Sequence, residues 1–392
     1  METNKSPGLW TCSFVYAYLS NMLLFASLYM LLPILPMYMV EKFGTSLSVA
    51  GMILAVFAVS MFFAGPFYSY LIDTYKRKSV CMLSYLAVIA ILGGYSVAGS
   101  LLWMAVLRMI QGVLFGITTT MGSTLAIDIT TSARRSEGNT CFSWAGRLGM
   151  VFGPMLGLLL YKYEGIQNVI YASFACGAAG LLFVSFIHVQ FRAPIGASLC
   201  SMDRFLLPKG WLPALNIILV SFTFGALLTT INMYTQSIYM QNITITFFVL
   251  MAAGFVLAMI ANRFMFVNAD IRARVVSGLL LMGASLLLII THIESVAFFT
   301  AAVMMGMGMG LVASDFLLIF IKLSQHCQRG TANTTYLLSW ELGVALGVWA
   351  GCYLIEISSY ITVFMAGIIA TATALVFYLV FTNPYFKRNI AR

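Results

Sequence analysis

Four ionisable residues interrupt long apolar stretches of this chain: Arg108, Arg147, Asp315 and Glu341. A charged side chain inside a bilayer is costly, so each of the four is a candidate for a functional role. Glu341 is the first candidate for carrying protons, because an apolar environment favours the neutral form of a carboxyl group and lets it exchange protons during a cycle. Asp315, seven residues before Lys322, is the second candidate.

Arg147 and Glu341 occupy equivalent positions in two copies of one pattern. The stretch 147–157 reads RLGMVFGPMLG, and 194 residues later the stretch 341–351 reads ELGVALGVWAG. If the helices begin near Ser136 and Gly330, each charge lies 11 residues in, which at 1.5 Å per residue is roughly 16 Å and close to the middle of a bilayer. Two interpretations follow: a site for protons or substrate, or a static ion pair that holds two halves in register.

Long apolar helices must position these charges. The 392 residues are 61% hydrophobic and only 8% charged, against roughly 25% charged in an ordinary soluble domain. Apolar runs long enough to cross a ~30 Å hydrocarbon core predict an all-α membrane protein with twelve spans: 10–39, 46–72, 79–99, 101–129, 136–161, 167–190, 211–238, 244–266, 274–292, 296–321, 331–356 and 358–382. The first run lacks the pattern of a cleaved signal peptide and is expected to be retained.

The basic residues predict the orientation of these spans. With the N-terminus inside, 17 of the 21 lysines and arginines are cytoplasmic, two are outside and two lie within helices. This bias predicts a multi-pass protein of the plasma (inner) membrane with both termini in the cytoplasm. It also explains the net charge of +9 through contact with the lipid bilayer rather than with nucleic acid. Dispersed cysteines and histidines predict no disulfide, metal site or cofactor.

The repeat divides the chain into two halves. The offset of 194 residues continues through the fourth and fifth spans, where it pairs Gly112 with Gly306, Gly116 with Gly310 and Asn139 with Asn333. We therefore expect two pseudo-symmetric six-helix bundles, 1–190 and 211–392, joined by a cytoplasmic linker at 191–210.

The glycines of the fifth span form a smooth face. Gly149, Gly153 and Gly157 recur at every fourth residue, which allows a neighbouring helix to approach closely. Pro154 removes a backbone donor and can kink the helix. Packing alone would explain the glycines, but the Gly153-Pro154 step suits a hinge at a moving interface between the halves.

Charged residues cluster after the second span and at the end of the fourth. Asp73 and Arg77 lie in the first cluster and Asp128 in the second. Pairing among them could close the cytoplasmic mouth and hold an outward-facing state; alternatively, they are solvated loop charges. Asp270 and Arg274 repeat the first pair at an offset of 197 residues.

These motifs resemble those of the major facilitator superfamily, and more specifically of its twelve-helix drug:proton antiporter branch. The helix 5 motif is similar to Gly149-x-x-x-Gly153-Pro154-x-x-Gly157, the helix 4 motif to Leu107-Arg108-Met-Ile-Gln111-Gly112, and the loop motif to Leu71-Ile-Asp73-Thr-Tyr-Lys-Arg77-Lys78. Ser69, Thr74 and Lys76 depart from the loop motif, and the first span lacks the acidic residue that many antiporters of this branch use.

The resemblance implies a substrate cavity lined by helices 1, 4, 7 and 10. Its candidate residues in this chain are Tyr18, Asn21 and Phe25 in the first span and Thr229, Asn232 and Gln236 in the seventh. Arg108 could hydrogen-bond the first helix or favour the ionised form of a nearby carboxylate.

The predicted function is secondary active transport by alternating access. We expect a monomer that exports a small amphipathic compound in exchange for protons. The alternatives are a facilitator or importer of a small metabolite such as a sugar, and a membrane receptor or scaffold that does not transport. An enzyme is not predicted, because the chain has neither a phosphate-binding Gly-x-x-x-x-Gly-Lys-Ser/Thr motif nor a nucleophile with a matched histidine.

Overall fold

The computed structural model describes residues 8–189, 198–202, 204–239, 243–265, 269–291, 294–325 and 328–390. Every regular element in these ranges is a helix. The predicted linker, 191–210, therefore lies partly outside the described residues, and the bundle boundaries stay predictions.

The long helices are numbered by membrane span. They are α1 Cys12–Tyr29, α2 Leu47–Ala64, α3 Arg77–Gly94, α4 Leu101–Asp128, α5 and α6 within Arg135–Ser185, α7 Trp211–Tyr239, α8 Thr244–Phe264, α9 Ile271–Thr291, α10 Ser295–Leu323, α11 Arg329–Ile357 and α12 Tyr360–Phe377. Shorter helical segments extend several of them, namely Leu35–Phe43 after α1, Gly65–Phe67 and Tyr68–Thr74 after α2, Tyr95–Val97 after α3, and Tyr378–Thr382 and Asn383–Asn389 after α12.

Twelve membrane spans result once one long helix is divided. In the described ranges, 11 helices are long and apolar enough to cross a membrane, and one of these is the continuous segment that contains both α5 and α6. Gly165, with φ 76° and ψ 179°, is the residue inside Arg135–Ser185 whose backbone is not helical. A positive φ costs glycine little, so α5 ends and α6 begins there. The predicted all-α fold with twelve spans is confirmed.

The first predicted span is not one continuous helix. α1 ends at Tyr29, turns follow, and a second helix begins at Leu35 with Pro36 in its first turn. Pro33 lies between the two helices and has no N–H to donate. The single run predicted over 10–39 is therefore wrong in detail, because it contains two helices separated by turns.

The glycine face of α5 packs against α1 of the same bundle. A side-chain carbon added to Gly149 or Gly157 would overlap the carbonyl oxygens of Met22 and Met30, and one on Gly153 would lie 2.7 Å from the carbonyl oxygen of Ala26. The face therefore explains close packing inside one bundle. Backbone angles stay helical through Gly153 and Pro154, so a hinge at this step stays a prediction.

The second bundle repeats this packing. Gly343 and Gly347 of α11 would overlap the backbone of α7 if they carried side chains, as the equivalent α5 glycines would overlap α1. Likewise, a side-chain carbon on Gly112 of α4 would overlap the carbonyl of Phe57 on α2, and one on Gly306 of α10 would overlap that of Met251 on α8. Three pairs related by the 194-residue offset thus make equivalent contacts in the two bundles: Gly149 and Gly343, Gly153 and Gly347, and Gly112 and Gly306.

We predict that Gly157→Ala destabilises the protein more than the repeat-equivalent Gly351→Ala. An added methyl at Gly157 would overlap the backbone carbonyl of Met30, whereas at Gly351 the nearest atom is the Thr230 hydroxyl at 3.2 Å. Overpacking typically costs about 1–3 kcal/mol. The measurement is the Tm of the purified protein in detergent, and equal Tm values for the two variants would contradict this packing.

Candidate functional site

The four predicted ionisable residues lie in two different parts of the structure. All are buried, with exposed fractions of 1% for Arg108, 5% for Arg147, 2% for Asp315 and 4% for Glu341. Asp315 lies toward the face that carries the turn at Tyr75 and Lys76 and the described linker residues, which we call the linker face. The other three line cavities between the two bundles; Arg147 and Glu341 are at mid-helix positions, and Arg108 is two turns from the start of α4.

Glu341 of α11 is hydrogen bonded across the bundle interface. The hydroxyl oxygen of Tyr29 lies 3.1 and 3.0 Å from its two carboxylate oxygens, so the hydroxyl donates to the carboxylate. Tyr29 is fully buried and is the last residue of α1. Tyr29 was not among the predicted site residues, although its spacing of four residues from Phe25 places both on one face of α1.

Arg147 of α5 is held by aromatic rings of the other bundle. Its guanidinium carbon lies 4.0 Å from the ring centroid of Trp340 and 4.8 Å from that of Tyr336. Its Nη1 also lies 3.0 Å from the sulfur of Met150. The two ring contacts are cation–π interactions, which gain strength when the cation is desolvated.

Arg147 and Glu341 do not form the static ion pair that the sequence left open. Among the ion pairs of the described residues, none joins these two side chains. The arginine stacks on Trp340, while the neighbouring residue Glu341 binds the Tyr29 hydroxyl. The two charges are thus brought to the same interface with separate partners.

Two small cavities lie between the bundles. One, of about 20 Å³, is lined by Tyr29, Arg108 and Glu341 together with apolar residues of α1, α2 and α11. The other, of about 30 Å³, is lined by Arg147, Tyr336 and other residues of α1, α4, α5 and α11. A single water molecule needs roughly 10–15 Å³, so each cavity is large enough for only one or a few waters.

The predicted substrate residues are only partly gathered at these cavities. Asn21 and Phe25 line the larger one. Asn232 instead accepts hydrogen bonds from Thr244 and from Gln236, inside the second bundle. Thr229 donates to its own helix, and Tyr18 packs on Trp10. Of these six candidates, therefore, only Asn21 and Phe25 line either of the two cavities described.

The residues of the linker face form a chain of contacts between the bundles. Arg77 binds Asp128 of α4 at 2.6 Å and Asp73 at 3.5 Å. Asp73 also binds Arg204, at 3.2 Å, in the linker. The backbone N–H of Arg204 donates to the Thr331 hydroxyl of α11. Of the two alternatives, pairing between the charge clusters is therefore present, and the linker extends the contacts to the second bundle.

Phe205 of the linker is inserted between the bundles at this face. Its ring is buried, packs edge-on against Phe62 at 5.3 Å, and occupies the space beside Gly65 where a side chain would otherwise lie. Its carbonyl accepts a hydrogen bond from Thr335 of α11, and the same hydroxyl accepts one from the N–H of Leu207. Sequence reasoning treated this segment only as a separator, although its apolar residues were a signal.

Asp315 of α10 is held in an ion pair. Both of its carboxylate oxygens lie 3.0 Å from Nε of Arg274, and one lies 2.6 Å from Nη2. Arg274 lies near the start of α9, as Arg77 begins α3. Each bundle thus joins an arginine at the start of its third helix to an aspartate of its fourth.

Further contacts join the bundles at both membrane faces. Toward the linker face, Ser143 of α5 donates to Asn333 of α11 at 3.0 Å. At the opposite face, Glu356 of α11 accepts a hydrogen bond of 2.8 Å from the N–H of Ser48, at the start of α2. Movement between the bundles must break one of these sets.

A family comparison agrees with this architecture. The model of the Major Facilitator Superfamily matches residues 17–326. The chain belongs to this superfamily. It is therefore a multi-pass membrane protein of a transporter family, as the sequence motifs predicted.

The individual relatives and solved structures share 15–27% sequence identity with this chain. Over 221 residues the chain is 27% identical to the multi-drug resistance efflux pump PmrA of Streptococcus pneumoniae serotype 4, a match that spans 54% of each chain and so about half the length of that relative. The structure of the human organic anion transporter MFSD10 (TETRAN) superposes with a TM-score of 0.73 at 18% identity, covering 95% of this chain and 100% of that one. A mutant of the nucleoside transporter NupG gives a TM-score of 0.70 at 15% identity, covering 94% of this chain and 100% of that one. At these identities the two structures show a shared fold.

We predict that Phe205→Ala loosens the linker face. Removing the ring leaves the space beside Gly65 unfilled and weakens the contact between α2 and α11. The test uses a background in which Ser143→Cys adds a thiol and the exposed Cys12 and Cys200 are replaced by serine. In this background, the new thiol should react faster with a water-soluble maleimide when residue 205 is alanine than when it is phenylalanine. The matched control is Phe63→Ala, at a position 72% exposed on the outside of the bundle; equal labelling rates in the two variants would contradict the role of Phe205.

We also predict that Asp315→Asn lowers stability more than Glu341→Gln. The first change leaves Arg274 without its bidentate partner, and breaking a buried ion pair from one side costs about 3–5 kcal/mol. The second removes a carboxylate whose hydrogen-bond donor is the neutral Tyr29 hydroxyl. Melting of both purified variants at one pH tests the difference, and a larger loss for Glu341→Gln would show that the carboxylate is paired after all.

Proposed function

We propose that this chain exports a small amphipathic compound in exchange for protons, and that Glu341 carries the proton. The observation that supports this role is the contrast between two buried carboxylates. Asp315 is held by Arg274 in a bidentate ion pair, which protonation would break. Glu341 accepts a hydrogen bond from a neutral hydroxyl and takes part in no ion pair among the described residues. It can therefore gain a proton without breaking a salt bridge.

The position of Glu341 links its protonation to movement. Its partner, Tyr29, belongs to the first bundle, whereas Glu341 belongs to the second. A hydrogen bond to an ionised carboxylate is roughly twice as strong as one between neutral groups. Protonation of Glu341 thus weakens a contact between α1 and α11 and makes separation of the bundles easier, as alternating access requires.

The walls of the two cavities support an amphipathic substrate. The larger cavity contains the rings of Phe25, Phe142 and Tyr336 beside the polar Asn21 and Asn333. Aromatic residues bury much area and accept varied shapes. The match to a protein described as a multi-drug resistance efflux pump supports the same direction and class of transport.

We propose further that the linker face is cytoplasmic, in the plasma membrane. It carries the cluster Lys76, Arg77 and Lys78 and the linker residues Arg204 and Lys209. An excess of lysine and arginine marks the cytoplasmic side of membrane proteins. The two bundles would then be 1–190 and 211–392, with both termini inside the cell.

We expect Glu341→Gln to abolish proton coupling. The amide has nearly the same shape but cannot exchange a proton, so substrate-dependent proton flux should fall by at least about tenfold. The measurement uses proteoliposomes with a pH-sensitive dye inside, challenged with a panel of cationic, anionic and neutral amphiphiles and with sugars. Glu164→Gln, which changes an exposed carboxylate, is the matched control and should behave as the unmodified protein.

Two outcomes would count against this function. Proton flux that persists in Glu341→Gln would remove Glu341 as the carrier. If no amphiphile moves protons in the unmodified protein but a sugar equilibrates across the membrane, the chain is a facilitator, and export in exchange for protons is excluded for the compounds tested.

A further inference from the structure

Arg108 of α4 is buried with only part of its hydrogen-bonding capacity used. Its Nη1 donates to Oε1 of Gln111 at 3.2 Å, and its guanidinium lies 5.4 Å from the ring centroid of Tyr95. Its Nε and Nη2 make no hydrogen bond with the described residues. Since the residue is 1% exposed, these two donors carry a desolvation cost that a ligand could remove.

The same arginine lines the smaller cavity between the bundles. Leu54 and Phe57 of α2 form one wall of this cavity, and Val344 and Val348 of α11 form another. Because the two walls belong to different bundles, the cavity widens when the bundles separate. It then offers a cation beside an apolar surface.

The charges between the bundles leave one cation unmatched. Among the described residues that line the two cavities, Arg108 and Arg147 are the cations and Glu341 is the one carboxylate, so the three charges sum to +1 when Glu341 is ionised. The arginines nearer the linker face, Arg77 and Arg274, already have aspartate partners. The indole N–H of Trp340 is a further buried donor without a hydrogen bond among the described residues. An acceptor that carries negative charge would neutralise the excess positive charge and satisfy the unused donors.

We propose that Arg108 binds the anionic group of the transported compound, a carboxylate or a similar oxyanion. The planar guanidinium presents parallel donors that match a carboxylate with two hydrogen bonds. The apolar body of the compound would lie against Phe57 and Val344. One bound anion brings the interface charge to zero with Glu341 ionised. This assignment rests on the proposed function for its premise that the substrate passes between the bundles.

Binding of three probes of one shape tests the assignment: naphthalene carboxylate, naphthalene carboxamide and naphthylmethylammonium. Isothermal titration of the purified protein in detergent at fixed pH gives the three affinities. We expect the carboxylate to bind at least about tenfold more tightly than the carboxamide. Arg108→Gln should reduce its affinity to that of the carboxamide, and Arg108→Lys should retain part of the preference.

Lys162→Gln is the matched control, because it removes the same charge from an exposed position and should leave the preference unchanged. If Arg108→Gln fails to fold, the comparison of the three probes on the unmodified protein and on Arg108→Lys still decides the question. Equal affinities for the three probes, or a carboxylate preference that survives Arg108→Gln, would overturn the assignment and leave the cavity as a place for water.

The binding experiment is separate from the test of proton coupling. Loss of the carboxylate preference, with proton flux still dependent on Glu341, would remove the anion site and retain the proposed function. A carboxylate preference that depends on Arg108, in a protein that moves no protons, would retain the anion site and remove the coupling.

Discussion

The hydrogen bond from Tyr29 to the Glu341 carboxylate is the contact on which the arrangement of the two bundles depends. It lies at mid-helix on α11 and at the end of α1, and it joins the bundles at the level of the two small cavities. Tyr29 is the last residue of α1 and precedes the turns that contain Pro33. Glycines of α5 allow α5 to pack closely against α1, and the equivalent glycines of α11 allow α11 to pack closely against α7. The helices that carry Tyr29 and Glu341 are therefore each fixed by packing inside their own bundle.

Ion pairs and apolar contacts hold the rest of the helices and the linker together. The paired arginines at the linker face, Arg77 and Arg274, each hold an aspartate and therefore tie helices together within a bundle. Phe205 and Arg204 tie the linker to both bundles, and Glu356 joins α11 to α2 at the opposite face. Arg108, Arg147 and Glu341 lie between these two layers and make no ion pair among the described residues. Ion pairs at the linker face, with ionisable groups between the bundles held by other contacts, suit a transporter whose centre must bind and release.

Much of the fold could be predicted because its signals are local. Apolar length indicated the number of spans, glycine spacing indicated the close helix faces, and the 194-residue repeat indicated the symmetry. The same signals located Arg147 and Glu341 at one interface. They could not supply partners, since helical periodicity tells which residues share a face and not which helix lies opposite. Tyr29, Trp340 and the linker residue Phe205 were missed for that reason. The hydrogen bond of Asn232 with Thr244, on the next helix of its own bundle, could not be foreseen either.

The central claim is that Glu341 changes its protonation state while Asp315 stays ionised. Infrared spectroscopy of the purified protein in lipid, followed through a pH titration, measures this directly. We predict that a band of a protonated carboxyl group appears as the pH falls, that Glu341→Gln removes it, and that Asp315→Asn leaves it in place. A band that persists in Glu341→Gln, or that disappears in Asp315→Asn, would contradict the account.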